Sequence, residues 1–313
     1  MSVLVTCGHT RAGLAAVRGL GRAGVAVAVA APHRPALAMW SRYATTTLLL
    51  PDATIEARRF AAAVVDEVTG RDVDGALTST DAAMWALSRW RHGLPRTALQ
   101  MLPPHDAVVV ALDRLALRDR ARSLGVACVP MAHIASSADV EPTMLRLQQE
   151  HAARDGRCSA LVRPTVPAFE REDGTRRLVS AVPVDTIGAL RRLLYERDDL
   201  VDGGCLIELR PPGDYLGYGA VCRHGEVIAE VFQERLRERG DLSGVSTLAR
   251  TIDVDEDMRT AARTLLRGLK FNGPCLVEFT RGDDGVVRLV NLIPRLWGSL
   301  ALSLTAGVDV PWI

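Results

Sequence analysis

The sequence predicts an α/β domain over its first third and an α+β arrangement over the remainder. Three observations carry this. Short apolar strands alternate with helix-period segments over residues 1–105, which argues for a parallel sheet covered by helices. Beyond residue 156 the texture turns to apolar strands separated by turn residues. Two of those turns, "RHGE" and "GDDG", sit between apolar runs and read as β-hairpins.

Taken in order, "VLVTC" is a strand, "TRAGLAAVRGLGRAG" has helical spacing with Gly24 as its stop, and "VAVAVAAP" is a second strand. "TTTLLLP" and "GALTST" are further strands on either side of the helix "EARRFAAAVVDEVTGR". Gly8 and Gly13 lie in the first strand–helix turn, where a helix N-terminus can receive an anion. They do not spell G-x-G-x-x-G, so the reading there is a tight structural turn, and a nicotinamide-type oxidoreductase is excluded. "DAVVVALDRLALRDRARSLGV" and "ADVEPTMLRLQQEHAARD" are helical, with the strand "ACVPMAHIAS" between them. The strands "SALVRPTV", "RRLVSAVP", "CLIELRPPG" and the hairpin "LGYGAVCRHGEVIAEVFQERL" follow. "DEDMRTAARTLLRGLKFNG" is an amphipathic helix that Asn272-Gly273 should close. The strands "PCLVEFTR" and "VVRLVNLI" form the last hairpin, and "RLWGSLALSLTAG" should make a final helix.

Composition excludes some classes of partner. A net charge of +1, with 24% charged and 48% hydrophobic residues, gives no electrostatic reason to bind nucleic acid or an anionic membrane. No apolar run reaches the roughly 20 residues of a bilayer span, and the N-terminus lacks a signal-peptide layout. A cytoplasmic location is the expectation. The six cysteines form no C-x-x-C pair and read as buried thiols. Lys270 is the only lysine, and Asn272 and Asn291 are the only asparagines.

In this order the elements resemble the ATP-grasp superfamily, specifically its carboxylate–amine ligases and carbamoyl-phosphate synthetase halves. The most specific run is "GPCLVEFTRGDDGVVRLVNLIPRLWGSLALSLTAGVDVP"; "LDRLALRDRARSLGV", "ALVRP", "CLIELRPPGDYLGYG" and "FQERLRERGDLSGVST" match more weakly. The resemblance implies a Rossmann-like pre-ATP-grasp domain over 1–105 and a two-lobed ATP-grasp domain over 106–313. Its small lobe would span about 125–205 and its C-terminal lobe about 206–313.

The resemblance also implies ATP and Mg²⁺ as cofactors. ATP would convert a small carboxylate to an acyl phosphate, which an amine then attacks; such transfer needs cations and a metal on hard oxygen ligands. Carried over residue by residue, Arg114 and Arg163 would contact phosphates and Glu208, on the hinge strand, adenine or ribose. Glu278 would be a metal-ligating carboxylate. Asn291 stands where the family has its bridging glutamate, and Ile293 where it has an asparagine, so Glu278 and Asn291 would hold one Mg²⁺ at most. Arg295 would face the transferred phosphate or the substrate carboxylate, with Arg235, Arg237 and Ser246 on the substrate side. The family's glycine-rich loop is replaced by "TVPAFEREDGTRR", whose Glu170, Glu172 and Asp173 would repel a phosphate and whose Gly174 cannot make a row of N–H donors. A second reading follows from these departures: a catalytically degenerate protein that binds nucleotide or a small acid as a regulatory or partner subunit. A homodimer or a partner subunit is compatible with the resemblance, though no residue specifies either.

Overall fold

The computed structural model describes residues 1–71, 73–151, 157–164, 182–197, 204–209, 213–238 and 246–313. Its strands are β1 (Ser2–Val5), β2 (Ala26–Ala31), β3 (Ala44–Leu49), β4 (Gly75–Leu77), β5 (Met131–Ile134), β6 (Arg157–Pro164) and β7 (Val182–Thr186). They continue with β8 (Cys205–Leu209), β9 (Gly213–Arg223), β10 (Glu226–Glu238), β11 (Ser246–Thr251), β12 (Gly273–Gly282) and β13 (Val287–Ile293). The helices are α1 (Arg11–Arg22), α2 (Ala57–Gly70), α3 (Asp81–Arg89), α4 (Arg96–Gln100), α5 (His105–Leu112), α6 (Arg114–Ser123), α7 (Val140–His151), α8 (Ile187–Glu196), α9 (Glu256–Gly268) and α10 (Leu300–Thr305). None of the described helices is long and apolar enough to cross a membrane.

The first sheet is parallel, in the order β3-β2-β1-β4. Alternation sorts its residues between two cores. Leu4, Ala28 and Ala30 pack with α2 and α3, whereas Val3, Val5, Val27 and Val29 pack with α1. The chain leaves β1 towards β2 on one side and later returns to β4 on the other, so the order reverses between β1 and β4. A crevice at the carboxyl ends of those two strands is where open α/β sheets bind ligands.

The five-stranded sheet runs β11-β10-β9-β12-β13, all antiparallel. Cys275, Val277 and Phe279 turn one face onto α9, α5 and α6. By the same alternation Leu276 and Glu278 turn to the other face, and Leu276 joins Val221, Val231, Leu296 and Trp297 in the core that also holds α1. The N-terminal sheet and this one therefore share apolar packing. The register slips by one residue at Val290, a β-bulge, so Asn291 faces Glu278 while Leu289 and Leu292 both stay in the α9 core.

The remaining sheet, β5-β8-β6-β7, is antiparallel and packs Val162, Val184, Cys205 and Ile207 on α7 and α8. The hinge strand of the sequence reading, β8, is hydrogen-bonded inside this sheet between β5 and β6.

Three local expectations are corrected. The helical stretch over 106–126 divides at Asp113, whose carboxylate accepts from Leu115 N and Ala116 N and caps α6. Helix α9 stops at Gly268, short of Asn272-Gly273, because Lys270 takes a left-handed φ of 48°. The Asn272 Oδ1 atom accepts instead from His224 N at 2.5 Å, bracing the β9–β10 turn. The last helix is only Leu300–Thr305, since Arg295–Ser299 form a bend stitched to the first sheet.

Candidate functional site

That bend closes a cleft of about 340 Å³ between the N-terminal and five-stranded sheets. Thr10, Arg11 and Ala12 line it from the exit of β1, and Ser79 from the exit of β4. Tyr215, Gly217, Gln233, Arg235, Ser246, Leu276 and Glu278 line it from the five-stranded sheet; Ile293, Arg295 and Ser299 line it from β13 and the bend. The cleft thus sits at the reversal of strand order in the first sheet.

Each wall has a local cause. Thr10 caps α1, its Oγ1 accepting from Gly13 N at 2.9 Å and lying 2.6 Å from Ser79 Oγ. This fixes the N-terminus of α1, with its free N–H groups and positive dipole end, at the cleft. Leu296 N donates to Thr78 O at 3.2 Å, and Arg295 Nε donates to Asp81 Oδ1 at 2.6 Å, in the first turn of α3. Arg295 Nη1 donates to Leu296 O, leaving Nη2 without a partner among the described residues. Gly217 and Gly219 are required by close packing. A Cβ on Gly219 would lie 2.6 Å from the Trp297 ring, and one on Gly217 2.8 Å from Gln233 Nε2. Gln233 is held in turn by Ser299 Oγ, which donates to its Oε1 at 3.0 Å.

Glu278 is engaged at both oxygens. Arg235 Nη2 donates to Oε1 at 2.5 Å, and Asn291 Nδ2 donates to Oε2 at 2.9 Å. The Arg235 guanidinium also lies 5.7 Å from the centre of the Tyr215 ring. Arg11, Arg235 and Arg295 line the cleft; Glu278 pairs with Arg235 and Asp81 with Arg295, so Arg11 is in excess and the balance favours an anion. Beside the cleft, burial pushes the His9 imidazole below its usual range, with His33 adding to the effect.

No protein-family model and no curated protein matches the chain in sequence. Solved structures do match in shape. The N5-carboxyaminoimidazole synthetase of Staphylococcus aureus, complexed with ADP, superposes with a TM-score of 0.70 at 14% identity, over 97% of this chain and 73% of that one. The L-amino acid ligase of Bacillus licheniformis gives 0.70 at 13% identity, over 99% and 72%. Biotin carboxylase from Campylobacter jejuni gives 0.70 at 14%, over 99% and 69%. The chain has the ATP-grasp fold. At these identities the likeness establishes architecture, and the chemistry must come from the residues.

On that ATP-grasp frame Arg235, Glu278, Asn291 and Arg295 gather at the last hairpin and its bend, with Ile293 and Ser246 beside them. Arg237 lies outside the cleft, its Nε donating to Thr247 Oγ1. Arg114 does not line the cleft either; its Nη1 donates to the carbonyl of the bulge residue Val290 at 2.6 Å. A guanidinium that satisfies a bulge carbonyl has a structural task. Arg163 and Glu208 lie on the face of the four-stranded sheet turned away from α7 and α8, 3.4 Å apart. The Glu208 side chain is 2% exposed, and its Oε2 accepts no hydrogen bond among the described residues. The segment from Thr165, with Glu170, Glu172, Asp173 and Gly174, lies outside the described residues.

The metal expectation meets a different chemistry. Mg²⁺ takes oxygen ligands, but Asn291 turns its NH₂ towards Glu278, the only orientation that suits an ionised carboxylate. Ile293 offers hydrocarbon, and no group of three or more His, Cys, Asp or Glu among the described residues could hold a metal. As arranged, these residues do not fit a divalent ion.

Thr10, Arg11, Ser79 and Gln233 escaped the sequence reading. The "HTRAG" turn did carry a signal, a threonine placed to cap the helix that follows the first strand.

Proposed function

We propose that this chain is an ATP-grasp ligase-type protein that takes a small carboxylic acid in the cleft and forms a C–N bond to an amine. The observation that carries the reading is the convergence of Arg11, Arg235, Arg295 and the α1 N-terminus on one cleft of about 340 Å³. That volume suits a metabolite-sized acid. Arginine forks suit carboxylate and phosphate oxygens alike. The likeness in fold to an L-amino acid ligase and to an N5-carboxyaminoimidazole synthetase supports the reaction class.

Arg163 and Glu208 would hold the nucleotide. A buried carboxylate oxygen with no hydrogen-bond donor among the described residues fits a ribose hydroxyl or an exocyclic amine, and the neighbouring guanidinium fits a phosphate. ATP would supply the phosphoryl group that activates the acid for attack by the amine, with ADP and phosphate released. Arg235 and Arg295 would orient the acid, while Trp297 and Leu276 shape the apolar side of the same region.

A second reading, an acid-binding subunit without turnover, is favoured by one observation: both oxygens of Glu278 already accept hydrogen bonds from side chains. Calorimetric titration with a panel of small carboxylic and amino acids, followed by ADP-release assays on each acid with amines, separates the two. ADP formed only when acid and amine are both present supports the ligase. Acid binding without ADP under any mixture transfers the assignment to the subunit, and no acid bound at all ends both.

A further inference from the structure

We propose that Glu278 in this chain is the anchor of Arg235 and not a metal ligand, so that the cleft receives its anion without a divalent cation held at that carboxylate. The inference rests on the carboxylate-binding reading of the cleft and specifies its electrostatics.

A carboxylate that ligates a metal must present lone pairs to it. Here one oxygen takes the Arg235 Nη2 donor and the other takes the Asn291 Nδ2 donor, both charge-assisted hydrogen bonds. The Glu278 side chain is 18% exposed and that of Arg235 16% exposed, so both charges are largely withdrawn from water and need each other. Asn291 faces Glu278 across the β12–β13 pair because the bulge at Val290 sets the register. Ile293, two residues on, pairs with Leu276 and offers hydrocarbon to the cleft where an oxygen ligand would be needed. A cation entering there would meet two donors already on the carboxylate and, among the described residues, no group of further acidic ligands.

What the arrangement does instead is hold a guanidinium still. Glu278 fixes one edge of Arg235, and the Tyr215 ring flanks its plane. Arg235 lines the cleft together with Arg11 and Arg295. The donors that would hold the anion are thus supplied by side chains, and Glu278 is a positioning residue for one of them.

The test is a titration with Mn²⁺ alone, read as loss of the free-ion electron paramagnetic resonance signal, on the wild type, Glu278→Gln and Asn291→Asp. The expected result is that wild type and Glu278→Gln give the same titration. Asn291→Asp, nearly isosteric and checked for folding by circular dichroism, creates a facing pair of carboxylates and gains Mn²⁺ affinity by about tenfold or more. A wild-type Mn²⁺ site that Glu278→Gln abolishes would overturn the proposal. So would acids from the panel that bind wild type at least about tenfold tighter with Mg²⁺ than with a chelator; equal binding in the two buffers supports it. If no acid binds in either buffer, the reading of the cleft fails, while the Mn²⁺ comparison still decides the role of Glu278.

Discussion

Arg295 Nε reaches Asp81 Oδ1 across 2.6 Å although the two residues stand 214 positions apart in the chain. One belongs to the bend after the last strand, the other to the first turn of α3, which follows the last strand of the N-terminal sheet. The contact orients a cleft arginine through a residue that does not itself line the cleft.

The two partners should separate in their effects. Asp81 is half exposed, so Asp81→Asn should cost no more than about 1 kcal/mol of stability in a urea melt. Arg295→Lys keeps the charge but loses the planar fork, and acid affinity should fall roughly tenfold in calorimetry. Unchanged affinity in Arg295→Lys would remove Arg295 from the binding site.

The buried pair on the four-stranded sheet should behave differently. Glu208 is 2% exposed at its side chain, so Arg163→Met leaves a charge with little access to water and should cost about 3 kcal/mol. Adding Glu208→Gln to that variant should recover part of the loss. A loss below about 1 kcal/mol on guanidinium unfolding would show that the pair is of the weak exposed kind.

The layered fold was legible because its cause is local. Period-two and period-3.6 patterns follow from how side chains leave the backbone, and alternation through Cys275, Val277 and Phe279 already points Glu278 away from the core. The site was legible only in part. Glu278, Asn291, Arg235 and Arg295 could be picked out by type and position. Nothing in the sequence says which end of the Asn291 amide meets Glu278, because that depends on a bulge at Val290 and on an arginine 43 residues away. Arg114 resembles a phosphate contact in sequence, yet the same bulge gives it a backbone carbonyl to satisfy. Asp113 was hidden inside a continuous helical pattern, where a capping carboxylate and a surface carboxylate look alike.

Close packing beneath the cleft gives a graded prediction. Gly219→Ala would set a methyl 2.6 Å from the fully buried Trp297 ring and 2.8 Å from Val231, which cannot easily yield. It should destabilise by about 1–3 kcal/mol and alter tryptophan fluorescence. Gly217→Ala would press on Gln233 at Nε2 and Cγ, an unbranched side chain and not a ring; its stability cost should be smaller and, because Gln233 lines the cleft, its effect on acid affinity larger. The reverse ranking in thermal melts would contradict this packing.

The acid limb of stability should report Glu230. Burial pushes its carboxyl up, but hydrogen bonds from Tyr218, Arg259 and Arg263 outweigh it and hold the folded value below the ordinary 4.5. A lowered folded value means the contribution is complete above pH 4.5 and disappears as pH falls through the folded value. Glu230→Gln should therefore cost about 2 kcal/mol at pH 7 and progressively less below pH 4.5. A difference from wild type that stays constant from neutral to acid pH would count against the network.

The cap of α1 joins stability to ligand binding. Thr10 Oγ1 accepts from Gly13 N and lies against Ser79 Oγ, so it both closes the first turn of the helix and ties together the two strand exits that frame the cleft. Thr10→Val preserves shape and removes the acceptor, and should cost about 1 kcal/mol. If the helix N-terminus takes part in holding the acid, affinity must fall as well, because frayed N–H groups no longer point to one place. Thr10→Ser keeps the hydroxyl and should restore both properties. A Thr10→Val protein that melts earlier yet binds acid as tightly as wild type would confine α1 to a structural role and leave the anion to Arg11, Arg235 and Arg295.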